Sequence, residues 1–355
     1  TIPRIIGRGI SESKGLRHGY IVNGNDVTRS LEKAVKQAER SSGIKVKKAY
    51  ISIGGVSLEG IKTGGSTIAT KGDYEITELD IKKAINSSKN NLQLLNRKII
   101  HTIPVDYKVD GENVLGHPVG LKGKKLEVQT LFITYLRQHL NDLIQSIEEI
   151  GIEVEDIVAS PIASSIVTLS KSQKIAGCVL ANLGSETVSI IIFENNIPIS
   201  LEIFPVGSIN ITNDIALGLK IPLEEAEKIK IGSVSNSSYP KKKLDEIILA
   251  RLADIFDLID AHLEKIGRSG LLPAGIILTG GGSGITTIED LAKASLKLPS
   301  KIAKISFVNN STNRIKDSTW TVAYGLCVFG LTNNEESKKT KLLKKAKNWL
   351  KQFSI

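Results

Sequence analysis

The chain has no methionine, two cysteines, ten prolines and only 5% aromatic residues among its 355 residues. Each shortage excludes something. Two cysteines, Cys178 and Cys327, are too few for a disulfide framework; both sit in apolar stretches and read as reduced core residues. No run of 18 uncharged apolar residues occurs, so no transmembrane helix is expected. Five histidines (18, 101, 117, 139 and 262) show no pairing at metal-ligand spacing, and His101 reads as strand structure. There is no P-loop and no nucleophile elbow. The missing methionine, with Thr1 leading straight into strand-like Ile2–Ile6, raises the expectation that the native start lies upstream or that modified methionines were dropped.

What remains is ample for a folded protein. Hydrophobic residues are 41% and charged residues 24%, against any disordered class, and the length suggests two or three domains. The net charge is +10, which could serve nucleic acid, a membrane surface or an acidic partner. Its position decides. Residues 338–355 hold seven lysines and no acid, so most of the excess lies in that one segment.

That segment reads KKTKLLKKAKNWLKQFSI. At 100° per residue, Leu342, Leu343, Ala346, Trp349, Leu350 and Phe353 share about 120° of arc, and Lys341, Lys344, Lys345, Lys347 and Lys351 lie outside it. A helix over 338–353 would be roughly 24 Å long at ~1.5 Å per residue, too short and too charged to span a bilayer. Such a helix lies in the interface of an anionic membrane, each lysine contributing up to about 1 kcal/mol. Docking on the protein's own core is disfavoured by a polar, linker-like stretch at 332–341. A nucleic-acid role is disfavoured because it would leave the apolar face wet.

The first 180 residues read as mixed α/β. Thr28 is the expected cap of a helix carrying Leu31, Ala34, Val35 and Ala38, stopped by Gly43, and a strand follows at Ala49–Ile53. Short strand-like pieces at Ser66–Thr70, Lys98–Ile103 and Leu126–Ile133 surround a helix begun by Thr77 and Asp80 in a capping-box pattern. Next comes an amphipathic helix with Leu136, Leu140, Leu143, Ile144 and Ile147 on one face. The second half restarts with strands at Gly177–Phe193 and Ile197–Pro205, turned at Asn195-Asn196. Helical segments over 208–268 are broken by a polar stretch around Ser233–Lys243, where Lys241–Lys243 reads as a solvated loop. A strand, Gly275–Leu278, enters Gly280-Gly281-Gly282, then come a helix (Thr287–Ser295), a strand and a last helix around Val322–Gly330. Hairpin-then-helices occurs in both halves, as in two related lobes around a cleft.

Two strand-to-glycine junctions carry chemistry. In LANLGSETVSI (Leu180–Ile190), Gly184, Ser185 and Thr187 form a bend whose amides and hydroxyls suit a phosphate chain. In GIILTGGGSG (Gly275–Gly284), three glycines let backbone approach a flat ring. Between them lies IFPVGSINITNDIALGLKIPLEEAEKIK.

This whole set resembles the actin-like ATPase superfamily, and most closely the bacterial cell-division family FtsA. The motifs stand here as Pro205-Val206-Gly207-Ser208, Ile211-Thr212, Asp214-Ile215-Ala216, Gly218-Leu219, Ala226-Glu227-x-x-Lys230 and Leu278–Gly282. GLRHGYIV (Gly15–Val22), Gly72–Asp80 and HTIPVDYKVDG (His101–Gly111) extend the likeness across nearly the whole chain. The last two resemble the 1C subdomain that this family has in place of actin's 1B. The resemblance implies an α/β, actin-like two-lobe fold of ribonuclease-H-like subdomains with a 1C α+β insert. It divides the chain into 1A (1–59), 1C (60–133), 1A again (134–174), 2A (175–205), 2B (206–272), 2A again (273–316) and a 1A closing helix (317–331). A linker (332–341) and a membrane-targeting helix (342–355) complete it.

By that resemblance Gly184, Ser185 and Thr187 hold phosphates and Gly207 closes on them. Glu227 and Lys230, otherwise readable as a solvated pair, reach the ribose and adenine edge, and Gly280, Gly281 and Gly282 back the adenine. The implied cofactors are ATP and Mg2+. Three departures matter. The family aspartate that orients magnesium-bound water aligns with Asn182, an amide that neither supplies charge nor takes a proton. General-base help of that kind is worth ~10²–10⁴ in rate, so hydrolysis should be weak or absent. Ser185, Glu186 and Ser189 replace Gly, Gly and Asp, and a carboxylate at Glu186 would repel a triphosphate unless turned away or bridged by magnesium. The family's phosphate-1 hairpin should precede Ile5 and is absent from this sequence.

The implied partners are the C-terminal peptide of the tubulin-like FtsZ, received by 2B, and further copies of the chain in a filament, touched by 1C. Anionic lipids, bound through Leu342, Leu343, Lys344, Lys345, Trp349, Leu350, Lys351 and Phe353, and other divisome proteins follow; nucleic acid does not. The implied location is the cytoplasmic face of the cell membrane at the division site. Rival readings are a pilus-assembly relative, PilM, disfavoured by the C-terminal helix, and a sugar or acetate kinase of the same superfamily, disfavoured by Asn182.

Overall fold

The computed structural model describes residues 5–233, 239–305 and 318–337 of the chain, the last five of these by backbone alone. Residues 338–355, on which the expected membrane helix falls, lie outside the described residues. Ile5–Gly9 is irregular rather than strand. It lies along the first helix, where Arg8 donates its N–H to Ser41 Oγ at 3.1 Å.

In chain order, a small hairpin pairs β1 (Leu16–Arg17) with β2 (Tyr20–Ile21) through the left-handed residues His18 and Gly19. Helix α1 (Gly24–Ser42) follows. Its cap is Asn23, not Thr28: Asn23 Oδ1 accepts the Asp26 N–H at 3.3 Å, and Asn23 Nδ2 donates to Asp26 Oδ2 at 2.8 Å. Gly43 ends it in the left-handed conformation, φ 72°. Strands β3 (Lys48–Ile53) and β4 (Glu59–Ile68) lead to α2 (Glu78–Asn90), then β5 (Arg97–Val109), β6 (Glu112–Val114) and β7 (Lys125–Leu136). Helix α3 (Arg137–Glu148), β8 (Glu153–Ala159), α4 (Ser160–Thr168) and α5 (Lys171–Ala176) close the first half.

The second half runs β9 (Cys178–Leu183), β10 (Val188–Glu194), β11 (Ile197–Phe204), α6 (Ser208–Leu219), α7 (Leu223–Lys230), α8 (Lys241–Lys265), β12 (Ile276–Thr279), α9 (Ile288–Leu296) and β13 (Ser300–Ile302). Helix α10 (Thr321–Ser337) then returns to the first half.

Two expectations are corrected here. Lys241–Lys243 is the first turn of α8: lysine is a good helix former, and its exposed side chains look the same in a loop or on a helix face. Residues 332–337 continue α10 and are no linker, since Thr-Asn-Asn-Glu-Glu-Ser holds no glycine or proline to stop it. A third correction concerns Cys327, which is exposed on α10, whereas Cys178 is buried as expected.

Among the described residues β3 and β8 form a parallel pair flanked by α1, α3, α4 and α10. Strands β4-β7-β5-β6 make a separate antiparallel sheet between β3 and α3 in sequence, with its own small core of Ile76, Ile81, Ala84, Leu126 and Val128. Helix α2 covers its edge. Ser88 Oγ donates to Thr63 O at 2.8 Å and Asn91 Nδ2 to Gly64 O at 2.8 Å, so these β4 carbonyls are satisfied from the helix. Thr77 and Asp80 form the expected capping box of α2. The insert leans on the second half where β4 meets β11, Gly60 lying against Leu201.

The second-half sheet has the order β11-β10-β9-β12-β13, antiparallel through β9 and parallel from β9 to β13. Its central strands are buried on both faces, which is why CVLANL and IILT read as nearly unbroken apolar runs. One face (Val179, Ala181, Leu278) packs under α6, α8 and α9. The other (Cys178, Leu180, Ile277) joins Ile162, Ala163 and Phe329 of the first half in one continuous core. That shared core fixes the two halves against each other and brings the carboxyl ends of β9 and β12 to a single crevice.

Candidate functional site

Parallel strands β9 and β12 end level, Asn182 paired with Thr279, and both chains turn sharply there. Open α/β sheets take ligands just outside such carboxyl ends. From β9 the chain makes the turn Gly184–Thr187, closed by Gly184 N–H on Thr187 O at 2.9 Å. From β12 it enters Gly280, at φ 88°, and a 3-10 turn over Gly281–Gly284.

The glycine loop is fastened by hydroxyls. Gly280 O accepts from Ser283 Oγ at 2.7 Å and from Ser318 Oγ at 2.9 Å. A Cβ on Gly280 would stand 2.2 Å from Asn182 Oδ1 and 2.5 Å from Leu183 O, so only glycine fits both the space and the φ. A Cβ on Gly282 would come within 3.1 Å of Leu183 Cβ and 3.5 Å of Ser208 Cβ, so this loop touches the start of α6 as well.

Helix α6 starts directly against the β9–β10 turn. Its first two amides, of Ser208 and Ile209, donate to Gly184 O at 2.9 Å and Ser185 O at 2.8 Å. The positive end of the helix is thus satisfied by the carbonyls of the turn expected to hold phosphate. Gly207 precedes it, its N–H held by Asn210 Oδ1 at 2.9 Å. A Cβ at Gly207 would lie 2.3 Å from Ser185 O, so the requirement for glycine here is one of space.

Lys230 and Glu227, one turn apart on α7, are paired at 2.7 Å. They are more than a solvated pair. Lys230 Nζ, on a side chain only 8% exposed, also donates to Thr212 Oγ1 at 2.8 Å and to Ser208 O at 3.1 Å. Thr212 in turn donates to Glu227 Oε2 at 2.5 Å. Burial alone would push the Glu227 carboxyl up. The Lys230 and Thr212 hydrogen bonds outweigh it and hold the pKa below the ordinary 4.5. This network ties α7 to the first turn of α6, beside the glycine loop.

The structure therefore brings the nucleotide-site candidates together: Gly184, Ser185 and Thr187 on one turn, Gly207 packed upon it, Gly280, Gly281 and Gly282 alongside, and Glu227 with Lys230 linked through Ser208. Asn182 lies beneath them at the end of β9. Sequence reasoning gave no site role to Asn210, Ser283, Ser318 or His18, and Thr212 entered only as part of the Ile211-Thr212 motif. Each is a common polar residue recruited by packing between segments remote in sequence.

Glu186 is engaged by the first half of the chain. Its Oε2 accepts the backbone N–H of His18 at 2.5 Å, and its carbonyl oxygen lies 3.1 Å from His18 Nδ1. The turn is thereby joined to the β1–β2 hairpin of the first half, which itself rests on Gly55 and Val56 through a Val56 N–H···O His18 bond of 3.1 Å.

Two open hollows lie elsewhere. One of about 280 Å³ sits between α6 and α8, lined by Asp214, Leu217, Ile247, Ala250, Arg251 and Asp254. The other, about 320 Å³, lies on the insert sheet around Gly64, Asp106, Lys108 and Gln129. Among the described residues no three His, Cys, Asp or Glu side chains gather as a metal site, and no helix is long and apolar enough to cross a membrane.

Two family models match this chain: cell division protein FtsA over residues 179–325, and the SHS2 domain inserted in FtsA over residues 57–134. Among curated proteins, the cell division protein FtsA of Pseudomonas aeruginosa is 26% identical, covering 94% of this chain and 84% of the relative. That of Bacillus subtilis is 28% identical over 93% of this chain and 78% of its own length. Among solved structures, a PilM–PilN type IV pilus biogenesis complex aligns with TM-score 0.67 at 13% identity, over 90% of this chain and 89% of that one. The ethanolamine utilization protein EutJ of Carboxydothermus hydrogenoformans aligns at 0.52 and 12%, over 89% and 78%. These two likenesses speak for the fold alone. The fold is actin-like and carries the family's insert, and the chain belongs to the FtsA family of cell division proteins.

Proposed function

We propose that this chain binds ATP with Mg2+ in the crevice, self-associates into filaments, and ties FtsZ to the cytoplasmic face of the membrane through residues 338–355. The observation that carries the nucleotide part is the convergence of the Gly184–Thr187 turn, Gly207 and the Gly280–Gly284 loop at the ends of β9 and β12.

The residues fit the two ends of a nucleotide unequally. At the adenosine end, Gly281 and Gly284 leave room: a Cβ on the first would meet nothing nearer than 3.6 Å, and one on the second would meet nothing within 4 Å. Glu227 and Lys230 lie alongside to receive the ribose and base edge, and Gly280–Gly282 back the base. At the phosphate end Gly184, Ser185, Thr187 and Gly207 are the holding groups, but the α6 amides are engaged with the turn. Asn182 would orient magnesium-bound water without charge and without basicity, so turnover is weak or absent. Bound there, the nucleotide would add an anionic load at the crevice, a gate for assembly rather than fuel.

The 206–272 region is proposed to receive the FtsZ C-terminal peptide. The hollow between α6 and α8 supports this, with Leu217 77% exposed beside Arg251. The insert is proposed to meet the neighbouring subunit, and other divisome proteins to join the assembly at the division site.

Liposome sedimentation tests the membrane claim. The full chain should pellet with anionic vesicles and a chain ending at Ser337 should not; binding that survives the deletion refutes the anchor. Affinity for an FtsZ tail peptide separates this reading from a PilM-like one, in which such a peptide finds no site.

A further inference from the structure

Glu186 is the one acidic side chain on the turn expected to face phosphate, and it is engaged by the β1–β2 hairpin of the first half. Its carboxylate holds the His18 N–H, its carbonyl holds the His18 ring, and these groups are 168 positions apart in sequence. His18 is presented for this by the left-handed turn His18–Gly19, with φ values of 49° and 85°. On its other side the same turn is clamped by α6, through Ser208 and Ile209 on Gly184 O and Ser185 O. The turn is thus held by three segments at once, β1–β2, α6 and its own strands.

We propose that Glu186 is a specificity-determining latch: by holding His18 it keeps the turn drawn across to the first half, and a polyphosphate competes with this contact. This deepens the nucleotide reading and rests on it. The physical reason is electrostatic. An ionised acceptor makes a strong hydrogen bond to a backbone N–H, and two like charges at one short turn disfavour each other. Polyphosphate must enter against the Glu186 charge and against the contact that places it. A nucleoside, lacking phosphate, meets neither. Glu186 accordingly lowers affinity for ATP and ADP while leaving adenosine unaffected.

The test uses the full chain with Glu186→Gly and, to keep the side-chain volume, Glu186→Gln. Hydrogen exchange of the segment 16–22 without nucleotide reads the latch directly. It should speed up roughly tenfold or more on losing a charged acceptor. Titration with MgATP, MgADP and adenosine reads the specificity: the variants should gain about tenfold on both nucleotides and nothing on adenosine. Unchanged exchange in both variants overturns the latch, and equal gains on all three ligands reduce Glu186 to a merely structural residue. If no form binds MgATP, the nucleotide reading falls and the competition with it, while the exchange result still decides whether Glu186 holds the two halves.

Discussion

Replacing Lys230 with methionine keeps the length and apolar stem of the side chain and removes its charge. The structure sets what is lost: three donor contacts, to Glu227 Oε2 at 2.7 Å, Thr212 Oγ1 at 2.8 Å and Ser208 O at 3.1 Å. A hydrogen bond involving a charged group is worth about 1.5–3 kcal/mol net, but contacts sharing one atom are far from additive. Glu227 is 44% exposed, so water reaches the carboxylate left behind and the cost stays below that of breaking a fully buried pair. We expect a loss of about 2–4 kcal/mol, concentrated in α6 and α7. The Glu227 titration should change as well. Its folded pKa lies below 4.5, so its stabilising contribution is full above 4.5 and is lost as pH falls through the lowered value. Without Lys230, burial is opposed only by Thr212, the carboxyl pKa rises, and that acid-side loss shrinks. Hydrogen exchange of residues 208–214 and 223–230, with carboxyl-carbon NMR of Glu227 across pH 2.5–6 (an interval of about two units either side of the ordinary value), checks both. Exchange and titration identical to the parent chain would refute the network. A fall in ATP affinity larger than the fall produced by Thr212→Val would separate ligand contact from scaffold.

Asp80 is fully buried, and its carboxylate accepts from Thr77 N at 2.8 Å, Thr77 Oγ1 at 2.6 Å, Thr70 N at 3.1 Å and Thr70 Oγ1 at 2.8 Å. Asp80→Ala should therefore cost about 2–4 kcal/mol and release α2, seen as faster exchange over 77–90 with β9 and β12 unaffected. His101 is buried with its Nε2 accepting the Ala159 N–H at 3.0 Å, and burial pushes its pKa from 6.5 down to about 3. The unfolded chain then binds one more proton between those values, so stability should fall as pH drops from 6.5 toward 3; in His101→Gln, urea unfolding should lack that part of the slope. A Cβ on Gly325 would lie 1.9 Å from Ala163 O, so Gly325→Ala must push α10 off α4, costing about 1–3 kcal/mol in thermal unfolding.

Much of this was legible in the sequence because its signals are local. Thr77-x-x-Asp80 announced its capping box, Asn195-Asn196 its turn, and the Leu140, Leu143, Ile144 and Ile147 spacing of α3 its packed face, although Leu136, expected on that face, ends β7 instead. Thr28 was misread as the α1 cap because Asn23, Asn25 and Thr28 all suit that role. Position decides among them: α1 begins where Asn23 meets Asp26. The lysines of Lys241–Lys243 are solvated as expected, yet exposure does not distinguish a loop from an exposed helical turn. The glycines of the crevice were legible as a set through the resemblance carried by the segments around them, and the structure brings them together. The bonds that complete the site were not. His18 to Glu186, Lys230 to Ser208 and Ser318 to Gly280 join residues from 22 to 168 positions apart, and no short pattern encodes such meetings.

The electrostatics of the chain divide along the same line. Seven of its ten net positive charges lie in residues 338–355, while the crevice has almost none to spare. Lys230 is neutralised by Glu227, the α6 amides are taken by Gly184 and Ser185, and Glu186 adds a negative charge to the phosphate turn. A site built this way would attract a polyanion weakly at long range, and the proposed nucleotide would be held by close backbone contact and a bridging cation. The lysine-rich segment does the reverse: as the proposed anchor it would be drawn to an anionic surface across a Debye length and released by salt. The two proposed activities therefore depend on different physics. Ionic strength acts on the tail and leaves the crevice nearly untouched, whereas changes at Glu186 or Lys230 act on the crevice and leave the tail untouched. One chain can then adjust attachment and assembly separately.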